Sequence, residues 1–249
     1  MFAREALLCK EVVQRDYARS GFLTYKTILE RLDKNDQKTF REAARTKLYS
    51  AGQVVFSQGQ ECLGIYLVES GLIGLRRFDE SGTSALLRLT QSGEALGYRS
   101  LINGTSHKNT AEVLAESKLY FINKSAFQWL TQRNHWMREC LLAIVLRDLD
   151  QSETTCAGLL TSKLRSRFLR LMATFSESHG ELDETAAFRI ELPIQRKDLA
   201  DLLGTSPAAL SRIIAGLQRE GGIRFMGRQV FVSDPYLLTS EATSYLDPA

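Results

Sequence analysis

Apolar residues fall along this chain in three rhythms, and each rhythm predicts a different kind of structure. Residues 24–47 carry Ile28, Leu29, Leu32, Phe40 and Ala43 at helical spacing, which predicts helix. From Gly52 to about Ile122 the pattern changes to short β-prone runs. These are Val54-Val55-Phe56, Ile65-Tyr66-Leu67-Val68, Ile73-Gly74-Leu75, Leu86-Leu87-Arg88-Leu89 and Leu119-Tyr120-Phe121-Ile122. Turn-forming groups separate them: Ser57-Gln58-Gly59, Glu69-Ser70-Gly71, Asp79-Glu80-Ser81-Gly82 and Gln91-Ser92-Gly93. Short strands at this even spacing predict an antiparallel barrel or roll.

Helical rhythm returns from Lys124 to about Leu160, a stretch with no Pro and no Gly before Gly158. Phe127 and Leu130 form a first patch. Leu142, Val145, Leu149, Ser152, Cys156 and Leu159 then follow at alternating steps of three and four, the spacing of a coiled-coil seam. A helix over 126–159 that dimerises is expected; packing of the same stripe on its own roll is the alternative. Residues Ser162 to Met172 read as the opening helix of a second domain.

The segment Arg196 to Ala215, RKDLADLLGTSPAALSRIIA, divides into two short helices around Gly204. In the first, Leu199, Leu202 and Leu203 share a face, and Ala200 is small enough for a close crossing. Ser206-Pro207 is a helix start, a hydroxyl N-cap followed by a residue that needs no amide donor. Beyond it Leu210, Ile213, Ile214 and Leu217 make one stripe, while Ala208, Ser211, Arg212, Ala215 and Arg219 make the opposite, short and basic face. Such a helix fits a major groove. Paired amphipathic helices also occur in ordinary all-α domains, but here two β-prone runs around Met226-Gly227 follow, with Arg224 and Arg228 placed for phosphates. A hairpin directly after the second helix predicts a winged helix-turn-helix.

Composition narrows the reading. The 249 residues are 44% hydrophobic and 24% charged, with 32 basic against 29 acidic residues and a net charge of +3. Affinity for nucleic acid must therefore come from placement and not from bulk charge. No apolar run approaches the length of a membrane span, and Met1-Phe2-Ala3-Arg4-Glu5 does not open a signal peptide. The expectation is a cytoplasmic protein without a membrane partner. Cys9, Cys62, Cys140 and Cys156 form no CxxC, and His107, His135 and His179 are isolated, so neither metal nor cofactor is expected. No nucleophile–base constellation or phosphate-cradling loop points to an enzyme. Residues 1–23 read as an extension with little to bury.

Helix, glycine-punctuated roll, long helix and winged helix-turn-helix, in this order, resemble the superfamily of the cyclic AMP receptor protein and the fumarate and nitrate reduction regulator. The resemblance rests on Tyr49-Ser50-Ala51-Gly52-Gln53-Val54-Val55-Phe56-Ser57-Gln58-Gly59, Ile65 to Gly71, Gly93-Glu94-Ala95-Leu96-Gly97 and the segment from Arg196. It implies an α+β chain: a cyclic-nucleotide-binding-like roll (a double-stranded β-helix) over 24–125, a dimerisation helix over 126–159 and a DNA-binding domain over 160–249. It also implies a homodimer on a two-fold symmetric double-stranded DNA site. Activation, with a surface such as Ser176 to Ala187 touching RNA polymerase, is the commoner mode, and a small-molecule effector at the roll is the implied signal.

Against that pattern this chain departs in two places. Where the resemblance implies a Glu for the ribose hydroxyl and an Arg-Ser pair for the phosphate, Tyr98, Lys108 and Asn109 stand instead. A phenol cannot replace carboxylate acceptance, and Lys lacks the fork of Arg. Cyclic AMP is therefore not the expected effector; the candidate pocket is Gly97, Tyr98, Arg99, Ser100, Lys108, Asn109 and Ser152. In the recognition helix the resemblance implies a Glu where Ala208 stands, while Arg212 is retained, so a different half-site is expected. The DNA-contacting set is Arg196, Lys197, Ser206, Ala208, Ser211, Arg212 and Arg228. Two alternatives stay open: a thiol switch at Cys62 and Cys156, and a cyclic-nucleotide-binding regulatory protein that does not touch DNA.

Overall fold

The computed structural model describes residues 24–182, 188–233 and 237–238, and the chain divides into two compact units between Asp150 and Gln151. In the first unit α1 (Tyr25–Arg31) and α2 (Lys34–Ala43) precede β1 (Ala44–Tyr49), β2 (Val54–Phe56), β3 (Gly64–Phe78), β4 (Ser84–Gln91) and β5 (Ala95–Leu96). Next come α3 (Tyr98–Asn103), β6 (Thr110–Asn123), α4 (Lys124–Arg133) and α5 (His135–Thr161), the last running past the division. The strands pair antiparallel in the order β1-β6-β3-β4, with β2 on β6 and β5 on β3. This is the roll that the strand spacing predicts.

Three element boundaries differ from the periodicity reading, each for a local reason. The single helix expected over 24–47 is two helices and a strand. Asp33 interrupts it by capping α2, its carboxylate accepting from the Asn35 and Asp36 amides at 2.9 and 2.8 Å. Residues 44–49 then extend to pair with β6, from Ala44 opposite Ile122 to Tyr49 opposite Ser117. Glu69-Ser70-Gly71 is no turn but an irregularity inside one long strand, β3. Gly71 takes φ +101°, the register against β6 shifts there, and the Leu72 amide donates to Ser117 Oγ at 3.2 Å. The stretch from Lys124 is two helices, because Asn134 ends α4 and its side chain caps α5 by accepting from Met137 N at 3.1 Å.

Successive residues of β3 serve two cores, which explains why it reads as a continuous apolar run. Tyr66 and Val68 join Val55, Phe56, Ile73, Val113 and Leu119. Ile65 and Leu67 face the other way and pack with Ile28, Phe40, Phe127, Leu130, Met137 and Ile144 of the helices. Each such buried side chain contributes roughly 1.5–3 kcal/mol of transfer free energy. The α5 residues on that side, Met137, Cys140, Leu141 and Ile144, are buried, and the same face continues one turn further to Asp148.

The second unit holds α6 (Leu164–His179), β7 (Gly180–Leu182), β8 (Phe188–Glu191), α7 (Arg196–Leu202), α8 (Pro207–Arg219), β9 (Ile223–Met226) and β10 (Gln229–Val232). The expected hairpin, β9–β10, is half of a four-stranded sheet ordered β7-β8-β10-β9. Ser176 to Leu182, read from sequence as surface loop, is the end of α6 and β7, while residues 183–187 lie outside the described residues, as do 1–23 and 239–249. Phe168, Leu169, Met172 and Phe175 of α6 form the core with Leu199, Leu203, Leu210, Ile214, Leu217, Ile223, Val230 and Val232. Among the described residues no helix is long and apolar enough to cross a membrane.

Candidate nucleic-acid interface and effector pocket

The turn between α7 and α8 is built by backbone chemistry. Gly204 adopts φ +59°, its amide donates to Asp201 O at 2.9 Å, and the Thr205 amide reaches Ala200 O at 3.0 Å. Ala200 is fully buried, as a close helix crossing requires. Ser206 caps α8 by accepting from Ala209 N at 3.2 Å, and Pro207 occupies the first helical position. Leu210, Ile214 and Leu217 are buried, which turns Ala208, Ser211, Arg212, Ala215 and Arg219 to the outside.

These exposed groups are not equivalent. Ser211 Oγ donates to Pro207 O at 2.8 Å and Arg219 Nε to Ala215 O at 3.3 Å, so both side chains are engaged with their own helix. Arg228 Nε donates to Leu192 O at 3.0 Å, and the Arg196 guanidinium lies 5.7 Å from the centre of the Phe225 ring. Arg212 and Lys197 are exposed and have no hydrogen-bond or ion-pair partner among the described residues, so no described group takes up their charge.

The effector-pocket candidates, all but Ser152 in the first unit, are arranged differently. Gly97 opens α3 at φ +84°, and a Cβ there would lie 2.9 Å from Gly64 O, so only glycine fits without displacing the roll. Tyr98 is buried and its hydroxyl donates to Asp148 Oδ2 on α5. Burial, and then this hydrogen bond, push the Tyr98 phenol above its ordinary range, so it remains a donor at neutral pH. Ser100 is buried, whereas Arg99, Lys108 and Ser152 are exposed. Asn109 Oδ1 accepts two hydrogen bonds from the Arg77 guanidinium, at 3.0 and 2.9 Å.

The sequence reading missed the charged centre beside this pocket. Arg88 of β4 is held between Glu94, Nη2 to Oε1 at 2.7 Å, and Asp148, Nη1 to Oδ2 at 2.5 Å. Arg147 approaches the same Glu94 oxygen at 3.9 Å, and the other Glu94 oxygen accepts from Gln91 N at 2.8 Å. Burial alone would lower the Arg88 pKa, but the two carboxylates more than reverse this and hold it above its usual value. A signal was present in the sequence: Asp148 continues the buried stripe of Leu141 and Ile144, where an unpaired carboxylate would be costly.

The two cysteines considered for a thiol switch also separate. Cys62 is buried and donates to Gly64 O and Gly97 O, both at 3.4 Å, and burial pushes its thiol up, away from the reactive thiolate. Cys156 is exposed on α5.

One unit is thus a β-roll with a core within its strands and another against its helices, and the other unit is a capped helix-turn-helix with a four-stranded sheet. A family model for the cyclic nucleotide-binding domain matches residues 46–134, and one for the Crp-like helix-turn-helix domain matches residues 162–240. With this pair of domains the chain belongs to the Crp/Fnr family of transcription regulators. It is 23% identical over 195 residues to the CRP-like cAMP-activated global transcriptional regulator of Mycobacterium tuberculosis, covering 78% of this chain and 86% of that one. To the transcriptional activator protein FnrL of Cereibacter sphaeroides it is 23% identical over 224 residues, covering 88% and 89%. In fold it is similar to FixK2 of Bradyrhizobium japonicum, with TM-score 0.68, 19% identity, and 83% and 98% of the two chains covered. A CRP-family transcriptional regulator of Thermus thermophilus gives TM-score 0.67 at 24% identity, covering 82% and 100%.

Proposed function

We propose that the chain acts as a homodimer that binds a two-fold symmetric site on double-stranded DNA and regulates transcription from it. The observation that carries this reading is Arg212, exposed and without a partner among the described residues, on the face of a capped helix opposite Leu210, Ile214 and Leu217. A guanidinium so placed suits the O6 and N7 edge of guanine, while Arg196, Lys197 and Arg228 suit phosphates. Dimerisation is supported by α5, where Leu142, Val145, Leu149 and Leu159 are all between 39% and 60% exposed along one seam. Residues 24–125 serve as the sensor, 126–159 as the dimer helix and 160–249 as the DNA-binding domain, in the cytoplasm. Activation through contact with RNA polymerase is the proposed mode, in keeping with a relative named a transcriptional activator.

Cyclic AMP is not proposed as the effector, although one relative is named cAMP-activated. Tyr98 and Asn109 are already hydrogen-bonded within the chain, and Lys108 stands exposed. Selection of binding sites from random duplexes tests the DNA reading: wild type enriches a two-fold symmetric site and Arg212→Ala loses one base preference. Failure of the full-length chain to enrich any site overturns it. Calorimetry with cyclic AMP tests the second point, and micromolar affinity abolished by Lys108→Ala overturns that.

A further inference from the structure

We infer that Asp148 is a built-in ligand of the roll, an intramolecular carboxylate bound at an anion site made by Arg88 and Tyr98. The inference rests on the regulator reading above and adds how its sensor is set. A domain that holds an anionic effector needs a cation and a hydrogen-bond donor converging on one point inside a wall of strands. Here that pair exists: the Arg88 guanidinium on β4 and the Tyr98 hydroxyl at the start of α3 converge on the same oxygen, Asp148 Oδ2. The carboxylate that fills the point comes from α5, and it is 8% exposed in its side chain. Glu94 completes the site from the other side, taking Nη2 of Arg88 and the Gln91 amide.

The arrangement differs from a generic surface ion pair in three respects. Both partners are substantially buried, with Arg88 at 27% and Asp148 at 8% side-chain exposure. The acceptor lies on a different element from the two donors, so the bond fastens α5 to the β4–α3 edge of the roll. That helix is also the one that continues unbroken to Thr161, at the entry to α6. An effector would fasten the helix by filling the site; Asp148 does so without one. The consequence is a sensor whose bound state is the resting state, and DNA binding that needs no added small molecule.

The experiment uses the full-length chain and the duplex selected by wild type. Wild type is expected to bind that duplex with no ligand present and with no change on adding cyclic AMP. Asp148→Ala empties the site, and DNA affinity is expected to fall about tenfold, the coupling typical between two linked sites. Excess sodium acetate at fixed ionic strength, a carboxylate small enough to take the vacated place, restores much of the affinity and raises the unfolding temperature of Asp148→Ala while leaving wild type unchanged. Sodium chloride does neither. Tyr98→Phe, which removes one hydrogen bond and little volume, gives a smaller loss and covers the case in which Asp148→Ala does not fold. Cyclic AMP strengthening wild-type DNA binding tenfold or more overturns the inference, as does a folded Asp148→Ala that binds DNA as well as wild type. If wild type binds no DNA at all, the regulator reading falls, and the acetate effect on unfolding temperature still decides whether the site takes a carboxylate.

Discussion

Arg88 in the roll and Arg212 on α8 carry the same guanidinium group in opposite settings. Arg88 is held by two carboxylates from its own chain and is largely out of water. Arg212 is exposed, and no acceptor within the described residues reaches it. A cation matched inside the fold holds elements together, because desolvation has already been offset by its partners. An unmatched cation on a rigid, capped helix is available to an anion or base edge from outside. Charge by itself therefore does not separate these two settings; the presence or lack of an internal carboxylate partner does. By that criterion the proposed DNA-facing side is open and the proposed effector site is already filled by Asp148.

The sharpest way to break this comparison is to remove one side of the internal pair. Asp148→Ala leaves Arg88 with Glu94 as its remaining close carboxylate and leaves the Tyr98 hydroxyl without its acceptor. Losing one member of a buried pair costs on the order of 3–5 kcal/mol, and the survival of Glu94 places the expectation near the lower end. Denaturant unfolding of the roll measures it; a change within about 0.5 kcal/mol, the usual size for a surface substitution, removes the contrast with Arg212. Arg212→Ala should do the reverse, costing about 1–3 kcal/mol of specific DNA binding and almost nothing in stability. Ala208→Glu sharpens the same point. It adds a carboxylate one turn before Arg212, and the selected half-site should shift toward a base that presents an amino donor, such as cytosine.

A fourth variant tests the scaffold under the open surface. Ser206 Oγ accepts from Ala209 N, so Ser206→Ala should destabilise the second unit by about 1 kcal/mol, with a matching loss of DNA affinity through fraying of the first turn. Unchanged thermal unfolding of that unit would show that Pro207 alone holds the helix start.

What the sequence disclosed follows the same division. The helix-turn-helix was legible because its determinants are local: Gly204 at the turn, Ser206-Pro207 at the cap, and a stripe of Leu210, Ile214 and Leu217. The roll was legible as a strand rhythm but not in its strand ends, since β3 passes through Ser70-Gly71 by a register shift that depends on Ser117 across the sheet. β1 was read as helix because its strand character comes from pairing with β6 and not from its own composition. Arg88, Glu94 and Asp148 were missed for a related reason. Asp148 lies far from Arg88 and Glu94 in sequence, and only the packing of α5 against the roll brings its carboxylate to that guanidinium. Ser152, read as the pocket residue of that helix, is exposed, and Asp148 one turn earlier makes the contact.

The smallest expected effect concerns a second buried titratable group of the roll, one with no carboxylate paired to it among the described residues. His107 is 4% exposed and stacks on Phe56 with ring centres 3.7 Å apart and planes 11° apart. Burial holds its imidazole below the ordinary value of 6.5, because an imidazolium there would lose its hydration and gain no counter-charge. The folded state thus binds a proton less readily than the unfolded chain. The stability tied to neutral His107 is fully present above pH 6.5 and is lost as pH falls from there through the lower folded value. Wild-type roll stability should therefore decline between about pH 7 and pH 5, and His107→Phe, which keeps the stack and removes the proton site, should decline less. Arg88 is charged across this whole range, so Arg88 and Asp148 variants should lower stability at pH 7 without removing this slope. Equal slopes in wild type and His107→Phe would show that the acid sensitivity lies elsewhere and that burial without a partner has no cost at this position.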